Sequence, residues 1–312
     1  MNAQDITNKP GEHAIFMVFR LLSGGIAEAG VKALCSGFSP VLRSMRNRFP
    51  DSEASCVMGF GAEAWGRLFP DRPRPGELET FKEIKGAKHT APSTPGDIFF
   101  HIRAKRLDVC HELAAVFRAA LGDAVEHVDE VHGFRYFDGR AIIGFVDGTE
   151  NPGGEDAMGF AAIGDEDGYF RGGSYAFVQK YIHDMDAWNA LPTEEQERAI
   201  GRRKYNDVEL SGEEKPKNAH NAVTNIHGAD GGELKIVRAN MPFANPSRKE
   251  FGTYFIGYAG TFSTTRKMLE NMFVGDPAGN TDRLLDFSTA VTGTLFFVPP
   301  LDMLEELGER AG

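Results

Sequence analysis

No run of apolar residues in this chain approaches the roughly 18 needed to span a bilayer. The opening stretch, Met1 to Gly11, has neither a basic-then-apolar leader pattern nor a twin arginine, so a cytoplasmic protein is expected. Basic residues are outnumbered, 34 Lys and Arg against 45 Asp and Glu, which gives a formal net charge of -11. Binding nucleic acid or an anionic membrane needs clustered cations, so no partner of either kind is expected and a small-molecule substrate is favoured. Cysteine is scarce: Cys35, Cys56 and Cys110 are odd in number, far apart and without a CxxC pair, and they read as buried thiols. Neither GxSxG nor HExxH occurs, which speaks against a hydrolase. The stretch Asn151 to Gly173 is rich in Gly, Asp and Glu but lacks the spacing of a calcium-binding EF-hand, and it reads as a connection across the surface.

What the chain does have is 41% apolar residues over 312 positions, enough for one large core or two of ordinary size. Two stretches repeat a strand-then-helix pattern. Gly96 to Ala104 leads into a segment whose apolar positions fall at 107, 110, 113, 114 and 117, and Gly252 to Ala259 leads into Thr264 to Phe273, 156 residues further on. His13 to Arg20 and Ser174 to Tyr181 form an earlier strand-like pair, offset by 161. Further strands are expected through Ser55 to Phe60, Phe134 to Val146, Leu234 to Arg238 and Gly293 to Val298. Glu194 to Arg203 reads as a charged helix and Glu213 to Asn221 as a polar loop. The pattern is α+β in two related halves, divided here as 1–150 and 151–312.

Gly144-Phe-Val-Asp-Gly-Thr-Glu-Asn-Pro152 closes an apolar run with a carboxylate on a glycine-framed turn, placing Asp147 at the mouth of a core. Three more polar residues stand in conspicuous places: His220 in the loop Lys217 to Ala222, then Arg238 and Asn240 in the strand-like stretch Leu234 to Pro242. With a side-chain period of two, 238 and 240 share a face, which sets a guanidinium beside an amide. Taken singly, each also fits an ordinary turn, loop or strand end.

Together, the nine-residue stretch and the histidine, arginine and asparagine that follow it resemble the dye-decolorizing peroxidases, in particular the compact bacterial cytoplasmic branch known as type B. The resemblance extends over Ala176 to Tyr181, Asp184 to Trp188, Leu234 to Met241, Gly252 to Ala259 and Arg283 to Gly293. It implies two ferredoxin-like modules with antiparallel sheets flanked by helices, a dimeric α+β barrel, in which the first module ends in the Asp147 loop. It also implies a non-covalent haem b, consistent with the lack of a CxxCH attachment motif. His220 would be the axial ligand to iron, with Gly148, Thr149 and Arg238 also against the cofactor. A carboxylate should hold the other ring nitrogen of that histidine. Asp282 and Asp286 are candidates, four apart on a helix-like segment and expected to share one face; Asp282 is preferred.

The activity so implied is the reduction of hydrogen peroxide coupled to one-electron oxidation of organic donors such as dyes, phenolics or porphyrinogens. Asp147 would move a proton between the peroxide oxygens, Arg238 would stabilise the charge that develops, and Asn240 would orient peroxide or water. Whether Asp147 or Arg238 contributes more is left open by the sequence. Trp188, Tyr181, Tyr175 and Tyr254 are candidates to relay electrons from a donor that stays outside. The alternative is a haem or porphyrin handling protein, a carrier or iron-releasing protein, that uses the same histidine without turnover. Self-association into a homo-oligomer is expected from the resemblance. Some relatives carry a flexible C-terminal tail that packs them into a protein nanocompartment; this chain shows an amphipathic segment, Leu301 to Gly312, and no such tail, so a cargo role is not expected.

Overall fold

A computed structural model of the chain describes residues 2–154 and 156–309. Its first module runs β1 (His13–Leu21), α1 (Gly25–Arg48), β2 (Ser55–Phe60), β3 (Ile98–Ala104), α2 (Leu107–Leu121) and β4 (Val125–Phe134). The strands lie in the order β2-β3-β1-β4, all antiparallel, which is the ferredoxin-like arrangement. The second module repeats it with β5 (Ser174–His183), the short β6 (Val237–Arg238) and β7 (Met241–Asn245), then β8 (Glu250–Ala259), helix Phe262–Phe273 and β9 (Thr294–Val298), in the order β6-β8-β5-β9 with β7 also on β8. The repeated pairs seen in the sequence are thus β1 with β5 and β3 with β8, the first and third strands of each module.

Both strand faces are buried, which is why these strands read as continuous apolar runs and not as alternation. On β1, Ile15, Met17 and Phe19 face the helices. Ala14, Phe16 and Val18 face inward, into a second core shared with Val178, Tyr254, Ile256 and Tyr258 of the other module. The two sheets join at one seam, where Phe297 of β9 pairs with Phe60 of β2. On the far side Gly133 of β4 lies so close to β7 that a Cβ there would stand 2.6 Å from Met241 Cβ, and only a glycine lets the wall close.

Polar groups inside this second core are tied across the modules. His101 of β3 is fully buried, stacks on Phe16 at 4.5 Å between ring centroids, and places Nδ1 2.8 Å from the Tyr258 hydroxyl on β8. Burial, and then the charge of Arg103, hold its pKa well below the ordinary histidine value. Once unfolded, His101 takes up a proton below about pH 6.5 that the folded protein refuses, so the unfolded state binds more protons and stability falls with acidification. The slope is about 1.4 kcal/mol per pH unit for one whole proton. The Tm of the cofactor-free protein should therefore drop between pH 7 and 5, and drop less in His101→Gln. Equal slopes would mean that His101 is charged in the fold.

Three sequence expectations are corrected. Phe134 to Val146 is not a strand: β4 ends at Phe134, and the chain then turns through Phe137, Gly139 and Gly144, all at positive φ, with only isolated bridges at Tyr136, Arg140 and Val146. Its apolar residues Ile143 and Phe145 are buried instead against Trp188, Ala199 and Ile200 in a small satellite core, which a folded-back segment reaches and an extended one does not. Within Asn151 to Gly173, helix Asp156–Ala161 and a 3-10 stretch Asp165–Phe170 bury Ala157, Ala161 and Phe170, and Ile163 is buried between them, so this is more than a surface connection. The expected Leu234 to Arg238 strand is broken in two, Glu233–Leu234 and Val237–Arg238. By contrast Ser55–Phe60 and Thr294–Val298 stand where they were expected, and the helix expected over Glu194 to Arg203 runs Thr193–Ile200, ended early by Gly201 at φ 92. All three cysteines are buried and unpaired. Among the described residues no helix is long and apolar enough to cross a membrane.

Candidate active site

The Asp147 loop is folded by its glycines. Gly144 and Gly148 sit at φ 94 and 81, a region that other residues enter at a cost, and the Asp147 amide donates to Gly139 O at 3.0 Å. Its carboxylate accepts from Asn240 Nδ2 at 3.3 and 3.4 Å. The Asn240 amide is itself oriented, because its Oδ1 accepts from the Ile256 backbone N–H of β8 at 3.1 Å. Val237, Ala239 and Met241 point into the shared core, which leaves Arg238 and Asn240 half-buried on the opposite face, as the period of two requires. The Arg238 guanidinium makes no hydrogen bond or ion pair among the described residues. Thr149, beside Asp147, is exposed and donates its hydroxyl to Asp207 Oδ2 at 2.5 Å.

His220 is the first residue of a five-residue helix, His220–Thr224, and not part of a loop. Its Nδ1 donates to Asp282 Oδ2 at 2.6 Å. Asp282 is 0% exposed and its other oxygen caps the following 3-10 turn, accepting from Leu284 N at 2.9 Å. Burial works against a charged His220 ring, but the charge and hydrogen bond of Asp282 outweigh it and hold the pKa above the ordinary value. Asp286 is elsewhere: it is exposed and lies 3.1 Å from His89 Nε2. The expectation that the two aspartates share a face is therefore corrected, because the segment is a 3-10 turn and not an α-helix.

His220, Asp147, Gly148, Thr149, Arg238 and Asn240 all line one cavity of about 250 Å³ that is open to solvent at its mouth. Apolar side chains, including Phe145, Ile236, Phe255, Met268 and Leu269, supply much of the wall. A second hollow adjoins it; Asp147, Gly148, Arg238 and Asn240 border both, while His220 borders only the first. Two histidines face the main cavity. His183 has both nitrogens engaged, Nδ1 2.7 Å from Ser288 Oγ and Nε2 2.9 Å from Thr253 Oγ1, and burial pushes its pKa down to about 4. His220 keeps 33% of its side chain open and has no partner at Nε2 among the described residues.

This donor set fits haem. Among the described residues no three His, Cys, Asp or Glu side chains cluster as a metal cage would require. One imidazole with a free Nε2, facing an apolar-walled cavity, instead suits a metal that brings its own ring of equatorial donors. The relay candidates Trp188, Tyr181, Tyr175 and Tyr254 are all buried, so none reaches the surface by itself. Asn151 was given no role by the sequence; its only signal there is its place in the nine-residue stretch, and the structure sets its side chain against the Arg238 main chain.

Residues 2–135 match the family model for the Dyp-type peroxidase N-terminal domain, and residues 138–303 that for the C-terminal domain. A dye-decolorizing peroxidase from Bacteroides thetaiotaomicron is 66% identical, superposes with a TM-score of 0.96, and the match covers 99% of both chains. A variant of DypB from Rhodococcus jostii RHA1 in complex with heme is 50% identical, with a TM-score of 0.95 over 98% of this chain and 98% of that one. The dye-decolorizing peroxidase of Mycobacterium tuberculosis is 54% identical over 292 residues, 94% of this chain and 86% of the relative.

Proposed function

The chain belongs to the dye-decolorizing peroxidase family, and from that premise we propose that Asp147, Arg238 and Asn240 act on hydrogen peroxide, with His220, held by Asp282, as the protein's ligand to the haem iron. The protein is a haem-dependent peroxidase. The observation that carries the assignment of residues is the open Nε2 of His220 on the same cavity as Asp147 and the unpaired Arg238 guanidinium.

When bound, haem would supply the redox chemistry, giving two electrons to peroxide and recovering them one at a time from a donor. The chain's residues prepare it. Asp282 fixes the Nδ1 proton of His220, which commits the Nε2 lone pair to the metal and raises the basicity of the ring. Asp147, whose carboxylate is held among the described residues by the long contacts to Asn240 alone, keeps lone pairs free to take the proton from the inner peroxide oxygen and return it to the outer one. Arg238 offers the fork of N–H donors of a guanidinium to the departing oxygen. Gly148 and Thr149 line the cofactor side of the loop.

In this reading the modules divide as 1–150 and 151–312, so the first carries Asp147 and the second carries the other four residues. The donor is a small organic molecule. The protein works in the cytoplasm, in keeping with three unpaired thiols, and self-associates.

The test is optical. Haem-loaded protein mixed with one equivalent of hydrogen peroxide between pH 5 and 7 should lose its resting ferric spectrum rapidly and regain it when a one-electron donor is added. A spectrum that persists, or bleaches without recovery, would favour a haem-handling protein, which has no use for a proton-transferring carboxylate beside a fixed cation.

A further inference from the structure

We propose that Asn151 is a positioning residue of the site, setting where the Arg238 guanidinium stands relative to the Asp147 carboxylate; this rests on the roles given to those two residues above. The Arg238 main chain is held at both ends by one side chain: Asn151 Nδ2 donates to Arg238 O at 2.6 Å, and Arg238 N donates to Asn151 Oδ1 at 2.8 Å. The register explains why it is needed. On β6, Val237 lies opposite Tyr258 and Arg238 opposite Gly257, and the next residue, Ala239, donates its N–H to Ile256 O at 3.2 Å. Successive residues of a strand turn their main-chain groups to opposite edges, so those of Arg238 face away from β8. A primary amide carries a donor and an acceptor side by side, and here it stands in for the missing strand.

The clamp also reaches the carboxylate. Asn151 N donates to Gly148 O at 2.9 Å, closing the turn that directly follows Asp147, while Asn240 bonds the Asp147 carboxylate from the Arg238 side. Asp147 and Arg238, 91 residues apart in sequence, are thereby cross-linked through two asparagines. Two bonds to one residue fix its rotation about the strand axis, and with it the direction in which the Arg238 side chain leaves the backbone. Misplacement of a reacting group by about 1 Å can cost on the order of 10²-fold in rate, so a modest loss of this alignment should be visible.

The experiment has two readouts. In the cofactor-free protein, hydrogen exchange at the Arg238 amide should be about tenfold faster in Asn151→Ala, as expected for loss of its hydrogen-bond acceptor. In the haem-loaded enzyme, kcat/KM for hydrogen peroxide should fall about tenfold, with the KM for the organic donor and the haem content unchanged. Asn151→Asp keeps an acceptor for the amide but cannot donate to the carbonyl, so it should retain amide protection and lose less activity; it also serves if the alanine variant folds poorly. In an Arg238→Leu background, Asn151→Ala should slow the enzyme no further. Unchanged exchange, an unchanged peroxide rate or an additive loss in the double variant would each overturn the proposal. If Arg238→Leu alone leaves the peroxide rate intact, the reading of Arg238 fails and this role of Asn151 fails with it, while the exchange result still reports on the clamp itself.

Discussion

His220→Ala should lose haem. Among the described residues this removes the one cavity imidazole nitrogen without a partner, and the other cavity histidine, His183, has both of its nitrogens occupied by hydroxyls. Outer partners of metal ligands alone are worth roughly 10- to 100-fold in affinity, so loss of the ligand should exceed that. Haem retained after gel filtration, and a titration of the ferric absorption band, would measure it, with the melting curve of the cofactor-free variant confirming the fold. Asp282→Asn is the graded control: it keeps the shape of the pair, removes the charge, and should weaken retention less. Retention of haem by His220→Ala at the parent affinity would move the iron ligand to another residue.

The second large effect belongs to Arg238→Leu. Haem should stay, because no bond to iron is removed, but the rate of reaction with hydrogen peroxide should fall by about 10² or more, the scale of losing one preorganised electrostatic stabiliser. Arg238→Lys separates charge from geometry: it restores a cation but not the planar fork, so it should recover part of the loss. A rate in Arg238→Leu equal to that of the parent would shift the burden to Asp147, whose carboxylate Asn240 holds in either case.

Which side chains share the candidate cavity was legible in the sequence because they come in a recognisable order: an aspartate in a glycine-framed turn, a histidine, then an arginine and an asparagine at a spacing of two. The duplication was legible as well, since a strand buried on both faces leaves a dense apolar run, and two such runs recur at matching places in the two modules. The choice between Asp282 and Asp286 needed coordinates. Four residues at three per turn land about 120° apart, where an α-helix would have aligned them. The Ile143 and Phe145 segment misled for a different reason: an apolar run reports burial and not extension, and this one is buried by folding back onto Trp188. Asn151 was invisible because its partner is main chain, and main chain leaves no letter in the sequence.

The seam between β2 and β9 bears on how the protein is made. A chain leaves the ribosome N-terminus first, and domains fold as units in that order. The first module can therefore assemble while the edge of β2, Ser55–Phe60, waits for Thr294–Val298, the last strand among the described residues. Asp282 also emerges late, long after His220. A nascent chain halted before residue 282 holds His220 without the carboxylate that pairs with its Nδ1, so that pair closes only after the intervening 61 residues have been made.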